Sequence, residues 1–272
     1  QQAGPVLAPE KNFNNQIGMP VTLLRLRAEH NFAVLELGMN QAGEIDYLAR
    51  IARPSVAVIT NAASAHLEGL RDLTGVARAK AEILGGLERS GAVMINADDR
   101  FAAYWLARAH HFRSVTFGLD NHADVMGDVT SVDVKMLVEV RLPDDRVEIM
   151  LGLLGRHNAR NALAAAAAAW SVGCTTEQIR TGLEKMKPVH RRLEQMSTPF
   201  GARLIDDTYN ANPASVQAAI SVLAARSGSR MLVLGDMAEL GKDARNFHQA
   251  AGRHAREAGI EHLLTTGDLA RS

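Results

Sequence analysis

The sequence contains one cysteine, Cys174. A lone thiol closes no internal disulfide, which suits a reducing, cytoplasmic setting. There is no run of about 18 consecutive apolar residues, so a membrane-spanning helix is not expected. The first residues, Gln1-Gln2-Ala3-Gly4-Pro5, lack the basic start and apolar stretch of a secretory signal, and they lack an initiator Met. The chain is therefore expected to be a piece of something longer. Neither sign of charge prevails, because 30 Lys+Arg residues balance 30 Asp+Glu residues. A general attraction to nucleic acid or to an anionic membrane is thus excluded as an expectation. The glycine-bearing stretch Gly235 to Gly241 does not follow the Gly-x-Gly-x-x-Gly dinucleotide pattern.

What is present is ample apolar material. At 272 residues and 47% hydrophobic, the chain can build two domains of ordinary size with real cores. Residues 5 to 20 read as loop, being rich in short amides and turn formers, and Val21 to Leu26 reads as a short helix. Apolar runs then predict strands near 32–37, 56–61, 92–96 and 114–118, with helices near 43–51, 73–88 and 99–109. That alternation is the pattern of a mostly parallel sheet with helices on both faces, an α/β fold. Between 121 and 151, Val129, Val132, Val134, Leu137, Val138 and Val140 alternate, and a Pro-Asp-Asp turn precedes Val147 to Leu151. These are read as antiparallel strands appended to the parallel sheet. The alanine run 164–169 predicts a helix, and a second helix is expected near 175–186, before Pro188. The pattern then restarts, with strands at 202–207, 231–236 and 262–265 and a helix at 243–258. Asn212-Pro213 has the form of a helix start, Asn as cap and Pro in the first turn. Roughly three strands is short of the about 5–6 in a mean sheet, so this second domain is expected to be truncated. The division is placed at 1–189 and 190–272.

In an open parallel sheet, ligands gather outside the carboxyl ends of the strands. The predicted topology brings Glu36, at the end of one strand, and His66, after the next, to a single such edge, with Lys80 on the helix that follows. Taken singly, Glu36 reads as a solvated acid, His66 as a packed or surface histidine and Lys80 as a helix charge. Together they suggest a metal site. A carboxylate suits Mg²⁺; an ammonium repels it, whereas a lysine carbamate offers two anionic oxygens. Asn158 and Asn161 share a helix face and carry amides suited to a purine edge, although Asn158 also fits an N-cap. Arg191 and Arg192 lie between the two domains, where an arginine can stabilise a transferring phosphoryl group or simply bridge the domains. Asp206 and Asp207 end a strand at the corresponding edge of the second domain.

Several motifs occur in a fixed order: Asn12 to Pro20, Glu36-Leu37-Gly38-Met39-Asn40, Gly43-Glu44-Ile45, Ala65-His66-Leu67-Glu68, Ala79-Lys80-Ala81-Glu82, Gly155-Arg156-His157-Asn158 with Asn161, Asp207 to Pro213, and Gly235 to Gly241. As an ordered set covering nearly the whole chain they resemble the Mur ligase family. The last two motifs favour the branch that adds D-Ala-D-Ala over relatives that add single amino acids. The resemblance implies a P-loop-like ATPase domain followed by a partial Rossmann-like α/β domain. It implies ATP-dependent amide ligation in cytoplasmic peptidoglycan precursor synthesis, through an acyl phosphate on UDP-N-acetylmuramoyl-tripeptide, by an enzyme expected to be a monomer. Carried over by motif, Glu36 and His66 are Mg²⁺ ligands and Lys80 is carbamylated. Asn158 and Asn161 contact adenine, Arg192 (or Arg191) the γ-phosphate, and Asp207 faces ATP; Asn14 and Asn15 line the substrate side.

The family's Gly-x-x-Gly-Lys-Thr/Ser phosphate loop is expected shortly before Gln1 and does not occur in the sequence. The UDP-sugar-gripping domain and the distal C-terminal part are absent as well. The chain alone is accordingly expected to be inactive. Two alternatives stay open: another Mur-type or folylpolyglutamate-type ligase, and a non-catalytic nucleotide-binding fragment.

Overall fold

The structure is a computed structural model in which residues 1–9, 12–63, 67–132 and 135–271 are described. His66 and Val134, both singled out in the sequence, lie outside the described residues.

The chain opens with β1 (Val6–Leu7), α1 (Gly18–Leu23) and β2 (Phe32–Ala33). β1 and β2 pair in parallel as a sheet of their own, and Val34 N–H extends the pairing to Leu7 O at 2.8 Å. Here the structure departs from the sequence reading. The 32–37 run was expected as a strand of the central sheet, yet only two residues ladder, and Glu36 follows a separate pair. Its partner β1 lies in a segment read as loop, because two residues are too few to show a period of two.

The alternation then unfolds as α2 (Glu44–Ala52), β3 (Val56–Ile59), α3 (Leu67–Leu70), α4 (Leu73–Ala81) running into a 3₁₀ turn at Glu82–Gly85, β4 (Ala92–Asn96), α5 (Ala102–Arg108) and β5 (Arg113–Gly118). β6 (Val125–Val132), β7 (Lys135–Arg141) and β8 (Arg146–Leu151) follow, then α6 (Arg156–Ser171) and α7 (Thr176–Glu184). One six-stranded sheet runs in the order β3-β4-β5-β6-β7-β8; it is parallel from β3 to β6 and antiparallel from β6 to β8, as the pattern predicted.

Successive strand residues face opposite sides. Ala92 and Met94 of β4 therefore enter one core with Val115, Phe117 and the alanine face of α6. Val93 and Ile95 enter the other with Ala57, Ile59, Ala77, Ala81 and Trp105. Every residue of β4 is buried, which is why it reads as a continuous apolar run rather than an alternation. Trp105 is fully buried and donates its indole N–H to Ala77 O at 2.9 Å, tying α5 to α4.

In the C-terminal part, β9 (Glu194–Ser197) pairs antiparallel with β10 (Arg203–Asp206). β9 escaped the sequence reading because Glu-Gln-Met-Ser carries no apolar alternation; the hairpin closed by Thr198 N–H to Ala202 O makes it a strand. β10 was expected in one parallel array with the later strands and instead belongs to this hairpin. α8 (Pro213–Ala224) starts as read, with Asn212 and Ser215 in a reciprocal capping box and Pro213 in the first turn. β11 (Met231–Leu234) and β12 (His262–Thr265) form a parallel pair, linked through α9 (Ala244–Glu257). α8, α9 and Met237 cover one face of that pair, whereas Met231, Val233, Leu263 and Leu264 are exposed. Leu154, Leu193 and Val222 bury one another where the two parts meet. Among the described residues no helix is long and apolar enough to cross a membrane.

Candidate functional site

Glu36 sits on an extended segment beyond β2, and Asn14 Nδ2 donates to its Oε1 at 3.0 Å. The same asparagine's carbonyl accepts Gly38 N–H at 2.7 Å. Asn14 lies so close beneath Gly38 that a Cβ there would stand 2.8 Å from its Cγ. Only a glycine permits that approach. Asn15 is engaged locally, its Oδ1 accepting Gly18 N–H at 2.8 Å and Ile17 N–H at 3.1 Å at the start of α1.

The loop after Glu36 meets α3 directly, since a Cβ on Gly69 would stand 2.0 Å from Asn40 O. Lys80 lies on α4, partly buried. Burial pushes its ammonium below the usual lysine range, and the carboxylates of Asp99 and Glu36 act against that shift. Lys80 therefore lies in the field of Glu36 and of a second acid, Asp99, that none of the sequence motifs contains. Among the described residues no three His, Cys, Asp or Glu side chains are grouped to hold a metal ion. His66 is outside that set, and a lysine enters such a group only as its carbamate.

Asp98 and Asp99 follow β4, at the carboxyl edge. Asp99 accepts Ala62 N–H at 2.7 Å and Phe101 N–H at 2.8 Å, which fastens the loop after β3 to the start of α5. Asp98, its side chain 6% exposed, accepts Leu119 N–H, Asp120 N–H, Asn121 N–H and Arg160 Nε at 2.7, 3.0, 2.8 and 3.0 Å. Arg160 reaches on to Asp120 at 3.2 Å. Burial alone would raise the Asp98 carboxyl, but the three backbone donors and the guanidinium outweigh it and hold the group below its usual range. Asp98, Asp99, Asp120 and Arg160, with Asn61, Asn96 and Ala214 of α8, line an open cavity of about 360 Å³ at the sheet edge.

Asp98→Asn is expected to destabilise the fold by about 2–4 kcal/mol, because it breaks a largely buried pair and sets an amide N–H among donors. A folded-state pKa below the unfolded value contributes stability above about pH 4 that is lost as pH falls through the folded value. The gap between wild type and variant should therefore be constant near neutrality and shrink below about pH 4. Urea denaturation at pH 7 and pH 3.5 checks both parts; an unchanged midpoint at pH 7 would refute the assignment.

On α6, Asn158 and Asn161 share a face as the spacing required, Asn161 Nδ2 donating to Asn158 Oδ1 at 3.4 Å. Asn158 Nδ2 also donates to Leu154 O at 2.8 Å. Between the two parts, Arg191 and Leu193 adopt positive φ, of 61° and 49°. The Arg192 guanidinium lies over the Tyr209 ring, 4.2 Å from its centroid. Asp207 accepts Leu193 N–H at 3.1 Å. Burial raises its carboxyl above the usual range, against the pull of that N–H and of Arg192. Arg192 and Asp207 thus form one cluster at the junction.

The Mur ligase middle domain matches residues 2–169, and the Mur ligase glutamate ligase domain matches residues 191–272. This chain belongs to the Mur ligase family. Among curated relatives of this Mur ligase chain is the UDP-N-acetylmuramoyl-tripeptide–D-alanyl-D-alanine ligase of Escherichia coli strain K12. It is 41% identical over 271 residues, covering 98% of this chain and 59% of that enzyme. Among solved structures, MurF from Acinetobacter baumannii superposes with a TM-score of 0.94 at 35% identity, over 98% of this chain and 59% of that one. MurF ligase from Thermotoga maritima in complex with ADP gives 0.87 at 24% identity, over 98% and 62%, a likeness of fold. The Mur ligase chain thus spans about 59% of the length of the E. coli relative.

Asp98, Asp99 and Arg160 of this Mur ligase chain stand outside the ordered sequence motifs. A signal was available, because Asp98-Asp99 follow a strand in the way that drew attention to Asp206-Asp207.

Proposed function

We propose that the full-length gene product is an ATP-dependent amide ligase that joins D-Ala-D-Ala to the UDP-N-acetylmuramoyl-tripeptide carboxylate. The observation that carries this reading is Lys80, partly buried on α4 and in the field of Asp99 and Glu36. Its position in the Mur ligase middle domain and the identity to a D-alanyl-D-alanine ligase over 98% of the chain support it.

A tripeptide carboxylate oxygen attacks the γ-phosphorus of ATP, and ADP leaves. The amine of D-Ala-D-Ala then attacks the acyl carbon, the bond to phosphate breaks, and phosphate and a proton depart. Phosphoryl transfer of this kind depends chiefly on positioning and on charge stabilisation. Arg192, over the Tyr209 ring and near Asp207, is the cation assigned to the γ-phosphate. Asn158 and Asn161 present amide edges to adenine, and Asp207 faces ATP from the second domain. Asn14 and Asn15 line the substrate side, Asn14 by orienting Glu36.

Glu36, His66 and Lys80 would hold Mg²⁺. The anionic surroundings of Lys80 fit a cation, and burial favours its neutral amine, the form that adds CO₂ and loses a proton to become a carbamate. Bound Mg²⁺ supplies neutralisation of the phosphate oxygens. Residues 1–189 form the ATP-binding domain and 190–272 the start of the domain that receives the incoming amine. The setting proposed is the bacterial cytoplasm and the state a monomer.

The test offers the full-length gene product ATP, Mg²⁺ and the tripeptide, with D-Ala-D-Ala, single amino acids or glutamate as acceptor. Pentapeptide formed with D-Ala-D-Ala, together with ADP, is expected. Preference for a single amino acid or for glutamate would move the protein to another branch, and no product with any acceptor would leave a non-catalytic nucleotide module.

A further inference from the structure

The motif Ala79-Lys80-Ala81-Glu82 contains a second acid-base residue that the proposed chemistry does not use. α2 begins at Gly43, whose φ of 90° suits glycine and whose missing side chain leaves the first amides of the helix without a local cap. The cap comes from 39 residues away. Both Glu82 carboxylate oxygens accept Gly43 N–H at 2.9 Å, and Oε2 accepts Asp46 N–H at 3.4 Å. A carboxylate is favoured at that end of a helix.

The contact is tight on both sides. A Cβ on Gly86 would stand 2.1 Å from the Ala49 carbonyl carbon, and one on Gly85 would stand 2.3 Å from Asp46 Oδ1. The end of α4 and its 3₁₀ turn are thus held against α2 at backbone distance. Upstream, Asn40 and Gln41 donate their N–H groups to Glu44 Oε2 at 2.6 and 2.9 Å, so the first turn of α2 also orders the loop that leaves Glu36. Glu82 therefore ties the element carrying Lys80 to the segment carrying Glu36.

We propose that Glu82 is a positioning residue that sets the separation between Glu36 and Lys80 by capping α2 from the end of α4. This rests on the reading that Glu36 and Lys80 hold the metal. Outer partners that orient metal-holding groups cost about 10–100-fold in affinity or activity when removed.

In the full-length gene product, Glu82→Ala should lower kcat by about 10–100-fold and raise the Mg²⁺ concentration for half-maximal rate by about tenfold, leaving KM for D-Ala-D-Ala within about twofold. Glu82→Gln, whose amide oxygen still accepts both N–H groups, should restore the rate to within a few-fold. In parallel, amide hydrogen exchange on the 272-residue chain should show Gly43 and Asp46 losing protection in Glu82→Ala while the α6 amides keep theirs. A wild-type Mg²⁺ requirement in Glu82→Ala would overturn the proposal, as would equal damage from Glu82→Gln. If the wild type makes no product, the functional reading fails separately; unchanged protection at Gly43 and Asp46 would then overturn the positioning role by itself.

Discussion

Lys80→Ala in the full-length gene product is expected to lower the ligation rate by at least about 10²–10³-fold, the scale on which a single preorganised charge-stabilising group acts. The side chain is not an ordinary surface charge, because it is partly buried on α4 and lies in the field of Asp99 and Glu36. A free ammonium there competes with Mg²⁺ for the same carboxylates, whereas a carbamate joins them as a ligand. Lys80→Arg keeps the positive charge and cannot form that carbamate, so it should be as impaired as the alanine variant. Short carboxylates such as acetate or formate fit the space left by alanine and supply oxygens, so they should restore part of the rate to Lys80→Ala and none to Lys80→Arg. Initial rates of ADP release with and without added acetate provide the check. Full activity in Lys80→Ala would remove the residue from the mechanism.

The elements that could be read from the sequence are those whose burial writes a period into the chain. β3 and β4 sit between two cores, so they are written as largely unbroken apolar runs, whereas β5 sends Val115 and Phe117 into one core and alternates; the predicted ranges 56–61, 92–96 and 114–118 meet the observed strands. The start of α8 was legible because Asn-Pro encodes cap and first turn in adjacent residues. β1 was not legible, being two residues long, nor was β9, whose polar residues are strand only because β10 folds back on them. The motifs drew attention to Lys80 and Glu36 as candidates but not to what holds them. Glu82 caps a glycine 39 residues away, and Asp98 gathers amides more than 20 residues away. Such contacts arise from tertiary packing and leave no local spacing to read. Asn14 shows the same limit: its tie to Glu36 spans 22 residues.

The 272-residue chain by itself is expected to bind ATP more weakly than about 1 mM and to show no turnover. A millimolar constant corresponds to only about 4 kcal/mol, which is what adenine and ribose contacts alone can supply. Tight nucleotide binding in this class of site comes from a phosphate loop: its backbone amides, its lysine and its Ser/Thr hydroxyl cradle the phosphates and the metal. No Gly-x-x-Gly-Lys-Thr/Ser occurs in the chain; the one Gly-Lys pair, Gly241-Lys242, has Ala238 where the first glycine of the loop would stand. Asn158, Asn161, Arg192 and Asp207 reach the adenine and the γ-phosphate in the proposed function but leave the β-phosphate without a cradle. Removing electrostatic positioning from phosphoryl transfer should cost many powers of ten in rate. The apolar side chains that the chain exposes on its short sheets, Val34 at 61%, Val233 at 64% and Leu264 at 54%, should also drive self-association as concentration rises. Calorimetry with ATP and Mg²⁺, paired with light scattering across a dilution series, tests both statements. Micromolar binding, or product from the tripeptide, would mean that the phosphates are held by groups other than those assigned.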